Sequence, residues 1–430
     1  MAPTRAIQRA GVRVLDRLRV RYPRHDLAHP RRGEMKLLFI LPLLVPGAAS
    51  FGTLPLHAHF VDSGPRSRAY SLLSPNGSSI PADGAVWPTG IYWTTVQVGT
   101  PPVNFPVCID SGSGDLDISA VQCDGCPTAP PNNGYDHTAS STSKPTVFPK
   151  TFSNSYQTCD LKNPTAVCTI SGKTYYDQVS LAGFGPVTVK LGAIDKQTPN
   201  FDQFKRIGGV MGFTGGGNED VFAQLVAAQK VPANIWAICM FEGANSNGTI
   251  TIGGVDERLS INGSVSYVAD VGIGFHSVRV ESLTLGGGST IAVDEAAILD
   301  TGTNILLAPT KVVTALRSSM CADTSLSQCS ELWSSQCVEM TMAEVDAYPS
   351  LSMQLDGALL EMSARDYILQ GSPVAEKPGQ FCLGIRDGGS AGGSGFIIGD
   401  TTMRNYYLVF DLGGKKIGWG KVNRDNCGSI

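Results

Sequence analysis

The chain has 430 residues, 42% hydrophobic and 16% charged, with 49 Gly and 26 Pro. This length serves two ordinary domains, the apolar content excludes general disorder, and glycine without a triplet period excludes a collagen-like rod. Residues 1–34 hold nine Arg against Asp16, Asp26 and Glu34, a net of +6, so the overall −4 leaves −10 on the remainder, a poor electrostatic partner for nucleic acid.

The Arg-rich residues 1–34 read as a transit peptide or an extended cytosolic flank, and more simply as a doubtful extension ahead of a true start at Met35. Residues 35–50 have the three parts of a secretory signal peptide: Met35-Lys36, the apolar run Leu37–Val45, and the small-residue exit Gly47-Ala48-Ala49-Ser50. That run is short for a bilayer span, and no second one follows, so no transmembrane anchor is expected. Eleven cysteines fit an oxidising compartment, as do the glycosylation sequons at Asn76, Asn247 and Asn262. An odd count leaves at least one thiol unpaired within the chain.

Residues 51–85 read as a poorly patterned lead-in, a possible prosegment. From about residue 86 the pattern is strands and turns. Ile91–Val98 is rich in aromatic and β-branched residues and ends at Gly99-Thr100-Pro101-Pro102. Similar runs occupy Ser264–Val268, Ser277–Leu285 and Tyr406–Asp411. Helical periodicity is confined to Asp220–Gln229 and Pro309–Met320, and Gly388–Gly395 reads as a flexible loop. The fold class is all-β with short helices.

The chain repeats itself once. Val107-Cys108-Ile109-Asp110-Ser111-Gly112-Ser113 recurs as Ala297-Ile298-Leu299-Asp300-Thr301-Gly302-Thr303. Val210-Met211-Gly212 then follows the first Asp, as Ile397-Ile398-Gly399 follows the second. Two lobes of one plan are expected, 86–240 and 241–430, each presenting an Asp on a turn after a buried strand. Such a turn is ordinarily structural. Two of them in equivalent places, related by a pseudo-twofold, would bring two carboxyls together. A close pair cannot readily ionise twice, so it shares a proton and can act on a water as base and on a leaving amine as acid.

At these residues the sequence resembles the pepsin-like aspartic endopeptidases, over roughly residues 86–425. The resemblance implies a bilobal β-structure with a pseudo-twofold and a cleft, catalytic Asp110 and Asp300, cross-dyad hydrogen bonds from Ser111 and Thr301, and carboxyl support from Ser113 and Thr303. It implies a flap tyrosine at Tyr156. Two departures stand out. Gln157 follows Tyr156 where the family often has Gly, with an insertion between Cys159 and Cys168. Asp117 stands where the family frequently has a Trp that bonds the flap tyrosine, leaving the partner of Tyr156 open; Asp115 and Asp117 hint at tolerance for basic substrate residues, although an isolated Asp is usually a solvated surface group. The family's prosegment often carries a Lys that neutralises the dyad; residues 50–85 contain none, only Arg66 and Arg68.

The resemblance also implies Cys337–Cys382 and Cys239–Cys427, the latter as in a β-secretase-like member, with Cys159–Cys168 and Cys321–Cys329 as local pairs. Cys123-Asp124-Gly125-Cys126 lacks a second pair at zinc spacing and reads as a loop disulfide. Cys108 is left over, on the face of its strand that Asp110 shares, and is expected to be a small buried apolar residue. The Gly388–Gly392 match to a nucleophile elbow has no later Asp-then-His order, since no His follows His276, and Gly208–Gly217 lacks the Lys-Ser/Thr of a phosphate loop. The expectation is a secreted or lysosome/vacuole-like aspartic endopeptidase, monomeric, with an acid optimum, taking an extended peptide and needing no metal or organic cofactor. The rival is a catalytically silent relative that binds peptides or inhibits another enzyme.

Overall fold

Side chains alternate along Ile91–Val98: Thr94, Val96 and Val98 are buried while Thr95 and Gln97 are exposed, the two-residue period that turns one face of a strand inward. The structure, a computed structural model, describes residues 77–85, 91–126, 134–156, 166–199, 207–214, 219–241, 248–286, 288–372, 374–393 and 395–429. The expected extension, the signal peptide and the sequons at Asn76 and Asn247 lie outside the described residues, as does Cys159.

Strands of this kind build three main sheets, giving an all-β, bilobal molecule. The first lobe is a nine-stranded sheet in which Ile91–Val98, Val103–Asp110, Gly209–Gly212, Leu116–Asp124, Phe184–Gln197 and Cys168–Leu181 succeed one another. The second lobe has a seven-stranded sheet that includes Ser277–Leu285, Thr290–Leu299, Ile397–Ile398 and Leu306–Ala308. A six-stranded sheet joins Ser78–Pro81, Gly248–Ile252, Ile235–Met240, Tyr406–Asp411, Lys416–Lys421 and Ser266–Ala269. At its centre Trp236 stacks flat on Phe410, ring centroids 4.0 Å apart, and meets Phe213 of the first lobe at 4.7 Å. Beside them the buried His276 ties the lobes, its Nε2 lying 2.8 Å from the Phe213 carbonyl oxygen and its Nδ1 3.1 Å from Asp270.

The sequence repeat is a repeat of topology. In the first lobe Gly209–Gly212 runs parallel to Val103–Asp110, Gly212 opposite Asp110, and antiparallel to Leu116–Asp124. In the second, Ile397–Ile398 runs parallel to Thr290–Leu299 and antiparallel to Leu306–Ala308. Each apolar pair before a Gly therefore wedges between the strand that carries an Asp and the strand that leaves its turn.

Local signals set the two longer helices. Val221–Ala227 starts at Asp220, whose carboxylate accepts from the Ala223 N–H at 2.9 Å, and it buries Val221, Phe222 and Leu225. Thr310–Met320 buries Val312, Leu316 and Met320, one face at a four-residue spacing. Two expectations shift. The lead-in reading ends too late, because Ser78–Pro81 and Asp83–Ala85 are strands, the first paired with Gly248–Ile252 at the edge of the joining sheet. The strand expected at Ser264 starts at Ser266, after a turn in which Asn262 adopts φ 58°. In the stretch read as a flexible loop, the Ala391 N–H donates to Gly388 O at 2.8 Å and the Gly395 N–H to Ala391 O at 2.7 Å.

Candidate active site

Both Asp turns begin where a buried strand stops. Val107, Cys108 and Ile109 lie in the core and deliver Asp110 to the turn Ser111-Gly112-Ser113; Ala297, Ile298 and Leu299 do the same for Asp300. The two turns interlock. Thr301 donates its hydroxyl to the Ile109 carbonyl at 2.7 Å and accepts the Ser111 N–H at 3.0 Å. Ser111 donates to the Leu299 carbonyl at 2.7 Å and accepts the Thr301 N–H at 3.0 Å. All four bonds are buried, and each residue does for the opposite lobe what its counterpart does in return. A pseudo-twofold axis therefore passes between them.

That axis sets the carboxyls. Asp110 Oδ1 accepts from the Gly112 N–H at 2.9 Å and Oδ2 from the Ser113 hydroxyl at 2.6 Å. Asp300 Oδ1 accepts from the Gly302 N–H at 2.8 Å and Oδ2 from the Thr303 hydroxyl at 2.6 Å. Each glycine also makes room for the other lobe's acid: a Cβ on Gly112 would lie 2.7 Å from Asp300 Cγ, and one on Gly302 2.7 Å from Asp110 Oδ1. Burial raises the Asp110 pKa well above the carboxylate range, and the neighbouring Asp300 raises it further, against the lowering effect of the Ser113 and Gly112 bonds. The pair thus holds a proton where an isolated Asp would not.

The two acids share a cleft of about 340 Å³. Asn154, Ser155 and Tyr156 line it from the strand Thr151–Tyr156, and Phe275, Ile298 and Ile397 supply apolar wall from the second lobe. Tyr156 is half-buried; burial first, and then the carboxyls of Asp117 and Asp110, hold its phenol well above its ordinary pKa, so it stays a donor. Asp117 corrects the solvated-surface reading: it is 2% exposed. The amide of Asn154 donates to Asp117 Oδ2 at 2.9 Å and to Asp115 Oδ2 at 2.7 Å, and the Tyr156 hydroxyl lies 3.5 Å from Asp117 Oδ2.

Sequence reading missed two of these groups. Asn154 carries no motif, and only its place two residues before Tyr156, on the same strand face, could have marked it. Asp400, directly after Ile397-Ile398-Gly399, is a further buried acid; burial and then the charge of Asp300 raise its pKa well above the ordinary value. The structure pairs Cys123 with Cys126, Cys239 with Cys427, Cys321 with Cys329 and Cys337 with Cys382. Cys168 is disulfide-bonded, and Cys108 is a free, buried thiol. Asn262 is exposed. Among the described residues, no group of three His, Cys, Asp or Glu side chains is arranged to hold a metal, and no helix is long and apolar enough to cross a membrane.

With this geometry in view, comparison with known proteins is specific. Residues 91–422 match the family model of the eukaryotic aspartyl proteases. Among curated proteins, pepsin A of Bos taurus is 25% identical over 339 residues, covering 77% of this chain and 84% of the relative. Pepsin A of Sus scrofa is 25% identical over 338 residues (77% and 81%), and gastricsin of Rattus norvegicus 25% over 345 (76% and 80%).

Proposed function

Since the chain belongs to the eukaryotic aspartyl protease family, we propose that it is an active endopeptidase whose catalytic pair is Asp110 and Asp300. The observation that carries this reading is the symmetry of the two interlocked turns, in which each carboxyl accepts from a glycine N–H and a hydroxyl of its own turn. A silent binder would have no need for two acids set side by side at a cleft, each held by a backbone N–H and a hydroxyl.

In the mechanism a water sits between the carboxyls. The ionised member of the pair takes its proton as the oxygen attacks the peptide carbonyl, and the proton already shared by the pair passes to the carbonyl oxygen. Collapse of the tetrahedral species then needs a proton on the leaving nitrogen, which the pair returns. No covalent intermediate forms. Ser113 and Thr303 hold the outer oxygens and Gly112 and Gly302 the inner ones, so the acids need not reorganise during proton transfer. Ser111 and Thr301 keep the lobes in register, and Tyr156 covers the scissile bond as the flap residue. An extended peptide fits the cleft, with apolar side chains against Phe275, Ile298 and Ile397.

The raised Asp110 pKa supports activity on the acid side, where the pair keeps its proton. The disulfides and the apolar leader at 35–50 support entry into the secretory pathway, and exposed Asn262 is a glycosylation candidate along with Asn76 and Asn247. The test is hydrolysis of an unfolded protein between about pH 3 and 7 by the chain beginning at Met35, with and without pepstatin. Acid-side cleavage that pepstatin abolishes supports the reading. A folded protein that cleaves nothing after acid or proteolytic activation transfers it to the silent binder.

A further inference from the structure

The strand Thr151–Tyr156 places Asn154 and Tyr156 on the same face, and both reach for one carboxyl. Asp117, on Leu116–Asp124, lies beneath them. Asn154 divides its two N–H bonds between Asp117 and Asp115, at 2.9 and 2.7 Å, while the Tyr156 hydroxyl stands 3.5 Å from the same Asp117 oxygen, the outer limit of a hydrogen bond. On its other side Asp117 packs against Gly192 of Phe184–Gln197, its partner in the parallel register. A Cβ there would come within 2.1 Å of Asp117 Oδ1 and 2.6 Å of the Phe152 ring. The missing side chain at Gly192 thus leaves the space that the Asp117 carboxyl occupies, beneath the strand Thr151–Tyr156.

We propose that Asp117 is a positioning residue that seats the flap over the dyad, its carboxyl accepting from Asn154 and Tyr156 of one strand. This rests on the flap and dyad assignments above. The residue acts through Tyr156 and does not touch the substrate. What it supplies is an acceptor, not a charge. Burial lifts its pKa to about 8, opposed by the Asn154 bond and assisted by Asp115, so through the acid range the group is a neutral carboxyl. The other charged groups acting on it agree with that state: Asp115, just ahead of its strand, and Glu219 both add negative charge. Lys190, which could offset them, is ion-paired with Glu219. A carboxamide of the same shape keeps the acceptor oxygen, so Asp117→Asn is the conservative replacement and Asp117→Leu the disruptive one.

The experiment compares wild type, Asp117→Asn, Asp117→Leu and Asn154→Ala by kcat/KM on a peptide at acid pH, and by hydrogen exchange of residues 151–156 against the rest of the chain. Asp117→Leu is expected to lower kcat/KM by about 10- to 100-fold and to raise exchange selectively in the flap strand, with Asp117→Asn restoring most of both. Asn154→Ala gives the same pattern more weakly, and it stands in if Asp117→Leu does not fold. The proposal is overturned if Asp117→Leu leaves flap exchange unchanged, if exchange rises uniformly over the lobe, or if Asp117→Asn falls as far as Asp117→Leu. Should wild type cleave nothing, the protease reading fails, and selective flap exchange still decides the role of Asp117.

Discussion

The two hydroxyls that cross the dyad give the most quantitative expectation. Thr301→Val keeps the shape of the side chain and deletes one oxygen, which leaves the Ile109 carbonyl and the Ser111 N–H without their buried partner. Each stranded group costs about 1–3 kcal/mol, so the substitution should destabilise the protein by about 2–6 kcal/mol. Ser111→Ala strands the Leu299 carbonyl and the Thr301 N–H in the same way, and symmetry makes its cost equal to within about 1 kcal/mol. Thr301→Ser, which keeps the hydroxyl and loses a methyl, should cost only about 1 kcal/mol. Urea unfolding of the three variants at one pH measures these differences directly. A cost below about 0.5 kcal/mol for Thr301→Val, or a Thr301→Ser as damaging as Thr301→Val, would refute the claim that these bonds hold the lobes in register.

Three further expectations follow from named contacts. Asp117 has its pKa raised to about 8 by burial, so the folded state holds a proton that the unfolded chain releases near its ordinary value; this contribution to stability is full at low pH and is lost as pH rises towards 8. Asp117→Asn should therefore match wild type in thermal stability at pH of about 3 and exceed it by an amount on the order of a few kcal/mol near pH 7.5, and equal stability at both pH values would contradict the burial argument. Gly112→Ala or Gly302→Ala drives a Cβ to 2.7 Å from the opposite lobe's carboxyl, and kcat/KM should fall by about 100-fold or more; near-wild-type rates would show that the turns yield freely. Cys108 is buried and its thiol is pushed up by burial and then by Asp110, so it should resist alkylation until the chain unfolds, with labelling of native protein as the contrary result.

The sequence makes the geometry of the paired acids readable because its parts are local and doubled. Asp-Ser-Gly and Asp-Thr-Gly each follow an apolar strand, and each is answered about a hundred residues later by an apolar pair and Gly, which in both lobes is the strand lying parallel to the one that carries the Asp. Ile91–Val98, Ser277–Leu285 and Tyr406–Asp411 are found with the expected bounds, since Gly, Asn or Asp ends each aromatic and β-branched run. What escapes is whatever depends on distant partners. Ser78–Pro81 is short, polar and ends in Pro, and only its pairing with Gly248–Ile252 makes it a strand. Asp117 reads as a solvated acid because its burial is made by Gly192 and Phe152, and its partner Asn154 lies 37 positions away on another strand. His276 gives no sign of its role for the same reason, since its acceptor is a backbone oxygen 63 residues earlier.

In the proposed mechanism one acid from each lobe carries out the reaction as a pair. Its most direct test is kcat/KM at acid pH for Asp110→Asn and Asp300→Asn, each checked for a native unfolding transition. Both variants should lose activity by a factor of about 1,000 or more while remaining folded, because neither carboxamide can take a proton from water. Substantial cleavage by either folded variant would contradict a shared dyad and place the chemistry elsewhere in the cleft.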